Sequence, residues 1–189
     1  MKSETYARRE FNEAAGRRAT AAASSWPDGM GIIYFSMSGW KGMWKNRHQL
    51  MSRLARQLPV LYVEPPVRLK QLRSEGLLSK AVWSDFRKEP MSMEAPGLNV
   101  FHTSKWFPVS GSRYLSTLTR KRWTRAVNKA AKEAGISKAI LWVSLPDHVH
   151  VVGEFDEALS IYHIVDEYAG YTGADAQWTR RLRLAEEQL

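Results

Sequence analysis

Four stretches of this chain carry side chains whose types and spacing could do chemistry. In SMSGWKGMWKNRHQ, Ser38, Gly39 and Trp40 precede Arg47 and His48. Gly39 and Gly42 would let backbone N–H groups come close to a ligand, and Lys41, Lys45 and Arg47 add mobile positive charge, a combination suited to a phosphate or a sugar. Trp40 and Trp44 are aromatics of the kind that stack on sugar rings. The same glycines could equally serve only to turn the chain, and they form neither a dinucleotide fingerprint nor a P-loop. Glu64 ends VLYVE, where a carboxylate could accept hydrogen bonds from hydroxyls or simply be solvated. Asp166, Glu167 and Tyr168 form the most catalytic-looking cluster, with Asp166 as the candidate catalytic carboxylate and capping of the following turn as its other reading. His148 and His150 stand two apart on an expected helix and point away from each other, so no metal pair is read there.

The elements that must position these groups follow from periodicity. Near-continuous apolar runs predict strands over Ile32–Phe35, Val60–Val63, Leu98–His102, Ala139–Val143 and Ser160–Val165. Helical spacing predicts Asn46–Gln57, with Leu50, Met51, Leu54 and Leu58 toward the sheet, and Arg113–Gly135, closed by its glycine. A short helix is expected over His148–Gly153, and another begins at Asp175. Pro90–Gly97 reads as loop, and Arg68–Lys88 as a basic flap with an apolar underside. Strand, helix and strand between Gly31 and Pro66 have the spacing of a βαβ unit. The fold class is therefore α/β: a Rossmann-like, doubly wound, mostly parallel sheet of five or more strands with flanking helices. In such a sheet the Ser38 loop, Glu64 and Asp166 all reach the carboxyl edge, where open α/β folds bind ligands.

Composition narrows the classes further. The 189 residues suit one domain, expected over 29–189 behind a basic, helix-prone arm at 1–28. There is no cysteine, which excludes disulfides, thiolate metal sites and cysteine nucleophiles. No run approaches the roughly 18 apolar residues needed to span a bilayer, and the arm lacks the apolar segment of a secretory signal. A cytoplasmic location is expected. The net charge of +9 favours anionic partners. Trp106 and Phe107, followed by Arg113, Arg120, Lys121, Arg122 and Arg125, have the make-up of a surface that meets anionic lipid, and equally of a solvated helix face. A basic module binding nucleic acid is the competing class, although no nucleic-acid signature is present.

The order of motifs adds a resemblance. A strand, a loop carrying Trp, Arg-His-Gln-Leu on a helix, then VLYVEPP, ILWVSLP and IYHIVDEY, together resemble the amino-terminal half of GT-B glycosyltransferases of the cell-surface polysaccharide and teichuronic-acid type. The likeness runs from about Gly31 to the end. It implies an acceptor-binding half of an enzyme moving a sugar from a nucleotide-sugar co-substrate to a glycan or lipid-linked acceptor, with no bound cofactor or metal. Ser38, Gly39 and Trp40 would lie near the transferred sugar and the donor diphosphate, Arg47 and His48 would match the motif at the next helix, and Asp166 and Tyr168 would stand close to the reacting centre. The donor-binding half of that family has no counterpart before Leu189, so a further domain or a partner chain is expected to supply it, and this half alone is expected to be inactive.

Overall fold

The computed structural model describes residues 26–66, 89–103, 113–164 and 176–187. Its strands are β1 (Met30–Phe35), β2 (Val60–Val63), β3 (Met91–Ala95), β4 (Leu98–Phe101), β5 (Lys138–Val143) and β6 (Glu157–Tyr162). Its α-helices are α1 (Asn46–Leu54), α2 (Arg113–Glu133) and α3 (Ala176–Glu186), and a 3-10 helix spans Pro146–Val151. The strands form one sheet in the order β3-β4-β2-β1-β5-β6. Five run parallel, and β3 alone pairs antiparallel, with β4.

Alternation along the strands divides the core into two layers. Ile33, Phe35, Leu61, Val63, Leu141 and Val143 meet Trp123, Val127, Ala130 and Ala131 of α2 on one face. Ile32, Tyr34, Val60, Tyr62, Leu98 and Val100 meet Met51, Ala55 and Leu58, on α1 and just beyond it, on the other. Central strands buried on both faces have to be apolar at every position, which is why VLYV shows no polar alternation. Removing each such side chain from water is worth about 2 kcal/mol. The chain moves outward from β1 to β2, then returns through α2 to β5 on the other side of β1. The topological switch therefore falls between β1 and β5, at their carboxyl ends. Here the Ser144 hydroxyl donates to the Phe35 carbonyl at 3.0 Å.

Two expectations are corrected. Met91–Ala95 is an edge strand and not loop: Met91, Ser92 and Met93 pair with Phe101, Val100 and Asn99, and Pro96-Gly97 turns the hairpin with Gly97 at φ 77°. The sixth strand occupies Glu157–Tyr162, three residues before the expected Ser160–Val165. Asp156, at φ 48°, turns the chain directly into it, and the Glu157 carboxylate accepts the N–H groups of Gly153 and Phe155, which fixes the start. This strand is an edge, with Ala158, Leu159 and Ser160 exposed, and not the buried strand expected to deliver Asp166. Three shorter adjustments belong with these: α1 ends at Leu54 in a turn, the helix after β5 is a 3-10 segment beginning at Pro146, and α2 ends at Glu133 before Gly135 at φ 82°. The basic arm up to Ser25, the Arg68–Lys88 flap, Trp106 and Phe107 lie outside the described residues. Among the described residues no helix is long and apolar enough to cross a membrane.

Candidate functional site

Six of the residues singled out by type and spacing meet at the carboxyl ends of β1 and β2. β1 releases the chain at Ser36, α1 brings Arg47 and His48 back over the loop, and β2 ends at Glu64. Tyr62 on β2 is the hub. Its hydroxyl donates to the Ser38 carbonyl at 2.9 Å and accepts from Arg47 Nε at 3.2 Å. With its one proton so used, the Ser36 hydroxyl at 2.5 Å must be the donor to it. Ser36 Oγ accepts the Ser38 N–H at 3.2 Å, and Arg47 Nη2 donates to Ser38 Oγ. Burial raises the pKa of both Tyr62 and Tyr34, so both phenols stay protonated donors.

His48 locks the other side of the loop. Its Nδ1 accepts the Lys45 N–H at 2.9 Å, which leaves Nε2 as the protonated nitrogen donating to the Trp40 carbonyl at 3.0 Å. Burial first, and then the Arg47 charge, lower its pKa and keep it neutral. Glu64 completes the frame. One carboxylate oxygen accepts the Trp40 N–H at 2.8 Å, and the other lies 3.1 Å from His102 Nδ1. Burial pushes the Glu64 carboxyl upward, but the hydrogen bonds from His102 and Trp40 outweigh it and hold the pKa below the ordinary value. Gly39 lies against this carboxylate, where an added Cβ would stand 3.3 Å from Oε1.

These contacts revise what each residue offers. Trp40 is 4% exposed, with its ring edge-on to Tyr62, His48 and Trp44, so it is core and not a stacking platform. Trp44 is 42% exposed and stacks on His48 at 5.0 Å, and it supplies the open aromatic surface. The amides of Ser38, Trp40 and Lys45 are already bonded, so the inner loop cannot cradle an anion. The outer stretch can: Lys41 to Lys45 is exposed, Gly42 has φ 121°, and among the described residues the amides at 41–44 make no hydrogen bond. Asp166 and Tyr168 lie outside the described residues.

Sequence reasoning missed Tyr62, Ser36, His102 and Ser92. Tyr62 sits within a core strand, where its hydroxyl looks incidental. His102 and Ser92 depend on the hairpin, whose signal was the Pro-Gly pair between MSMEA and LNVF. Among the described residues no group of three acidic or histidine side chains could hold a metal ion. What these elements define is an open α/β domain whose switch-side loop is braced from beneath and exposed above. No protein-family model matches this chain, and neither a curated protein nor a solved structure matches it.

Proposed function

We propose that this chain is the acceptor-side half of a glycosyltransferase of the GT-B kind, with the Lys41–Lys45 loop facing the sugar and the diphosphate of a nucleotide-sugar donor. The observation that carries the reading is the frame beneath that loop: Arg47 and His48 from α1, and Tyr62 and Glu64 from β2 and its end, fix its inner half from two sides. A loop held this way is preorganised, so little freedom is lost on binding. Two lysines and an exposed indole on its outer half fit a sugar diphosphate. Departure of a diphosphate demands cations and amide dipoles placed in advance, which this loop supplies. Asp166 remains the proposed orienting carboxylate, and the donor-binding half is proposed to lie on a further domain or a partner chain.

Titration with nucleotide sugars and a polyprenyl-linked saccharide at physiological salt, followed by tryptophan emission, tests this. Saturable quenching that is lost in Trp44→Ala is the expected result. Equal response to any polyanion, nucleic acid included, would instead favour a basic docking module. A specific feature gives that second reading weight: Lys121, Arg122, Arg125, Lys129 and Lys132 are all exposed along one side of α2, with Leu118 61% exposed among them. The only acid paired with this row among the described residues is Glu133, 3.7 Å from Lys129. We place an anionic membrane against this row, which would hold the protein peripherally at the inner face of the cytoplasmic membrane.

A further inference from the structure

A second arrangement shares Glu64 with the loop frame and adds Ser92 and His102, which the proposed glycosyl transfer does not use. Ser92 Oγ stands 2.8 Å from His102 Nε2, and His102 Nδ1 stands 3.1 Å from Glu64 Oε2. The three residues come from β3, the end of β4 and the end of β2, side by side on the face covered by α1. The Trp40 N–H holds the other Glu64 oxygen at 2.8 Å, so the carboxylate is fixed in place. An ionised carboxylate only accepts, so Nδ1 carries the imidazole proton and the Nε2 lone pair faces the serine hydroxyl. A hydroxyl within reach of a base, with that base oriented by a third group, is the relation that activates a serine.

We propose that Ser92 is an activated nucleophile that takes an acyl group from a carboxylic ester, with His102 as its base and Glu64 as the residue that orients the imidazole. Ser92 Oγ attacks the ester carbonyl carbon while its proton passes to His102 Nε2. Collapse of the tetrahedral intermediate breaks the carbon–alkoxy bond, and the leaving alkoxide takes that proton. Water then attacks the acyl-serine with His102 again as base, which releases the carboxylic acid and restores the hydroxyl. The site is open to solvent: the side chains of His102 and Glu64 are 25% and 20% exposed, and Ser92 is half-buried.

Glu94 competes for the serine proton. Its Oε1 lies 3.0 Å from Ser92 Oγ, so the single hydroxyl proton has two acceptors to choose between. Directed at Glu94 the serine is at rest, and directed at Nε2 it is poised.

The test uses the full chain with a fluorophosphonate probe, and the adduct is located by mass spectrometry. Modification of Ser92 is expected, with none at that position in Ser92→Ala and labelling about 100-fold slower in His102→Gln. Hydrolysis of p-nitrophenyl acetate should follow the same order. Wild-type protein that carries no adduct on Ser92 would overturn the proposal, and so would a folded His102→Gln variant labelled at the wild-type rate. Neither outcome depends on glycosyl transfer or on nucleotide-sugar binding.

Discussion

At the scale of single residues, the chain spends its buried polar groups on holding other groups still. Glu64 shows this most directly, because each carboxylate oxygen has its own partner. Glu64→Ala leaves the Trp40 N–H and the His102 ring without an acceptor, and we expect a loss of about 2 kcal/mol in urea unfolding. His148 has the opposite character. It is 5% exposed, its Nδ1 has no hydrogen-bond partner among the described residues, and Phe35 lies 5.8 Å away. Burial, reinforced by His150, lowers its pKa to about 3. An unfolded histidine binds its proton near pH 6.5. Between about 6.5 and 3 the unfolded chain therefore holds the extra proton, and stability falls as pH falls, with a slope approaching about 1.4 kcal/mol per pH unit from this group. Above pH 6.5 the group is neutral in both states and contributes no slope. Urea melts at pH 7 and pH 5 should show this loss, and His148→Met should reduce it. Glu64 adds a loss at lower pH: with its folded pKa depressed, its contribution is complete above the ordinary carboxylate value and disappears as pH falls through the folded one.

At the scale of elements, the β3-β4 hairpin and α1 are locked through one turn. Gly97 has φ 77°, and a Cβ there would lie 2.4 Å from the Ala55 carbonyl, while the Gly97 carbonyl accepts the Val60 N–H at 2.8 Å. Gly97→Ala therefore combines left-handed strain with a backbone collision, and we expect a loss of about 2 kcal/mol or more in thermal or urea unfolding. Because this turn also sets the register that brings Ser92 to His102, the same variant should slow fluorophosphonate labelling. The run EPMSMEAPGLNVF shows why the hairpin was hard to read. Its first strand alternates Met91, Met93 and Ala95 with polar residues, but Pro90 and Pro96 bracket it, and prolines of this kind usually mark loop. An antiparallel edge tolerates them because they sit outside its paired positions. The sixth strand was displaced for a related reason: the apolar run IYHIV suggested a later start, and only the Glu157 carboxylate folded back on Gly153 and Phe155 fixes an earlier one.

At the scale of the whole molecule, the charge of +9 has two concentrations among the described residues. The α2 row places five cations on one surface, while the sheet edge carries Lys41 and Lys45 on its loop. Sedimentation with vesicles containing anionic lipid should therefore pull the protein down at low salt and release it as salt rises. A Lys121→Glu, Arg125→Glu double variant should weaken that binding at least tenfold. Its unfolding temperature should hardly move, because both residues are exposed. Unchanged vesicle binding in that variant would remove α2 from the docking surface.

The sequence by itself determined the layers. Apolar runs such as IIYF, VLYV and AILWV had to be central strands, and the helical spacing of Met51 and of Trp123, Val127 and Ala130 had to supply their covers, because burial on a repeating backbone leaves a period that can be read in one dimension. It also marked Ser38, Arg47, His48 and Glu64 as belonging near one edge. Only the tertiary structure decided which of these faces outward. Trp40 and Trp44 are the same residue type four positions apart, yet one is core and the other is surface, since their fates depend on Tyr62 and His48 arriving from other elements. The Ser92, His102 and Glu64 row is likewise set by strand register across β2, β4 and β3. Hydrogen bonds between residues as far apart as 38 positions leave no spacing for a sequence pattern to carry.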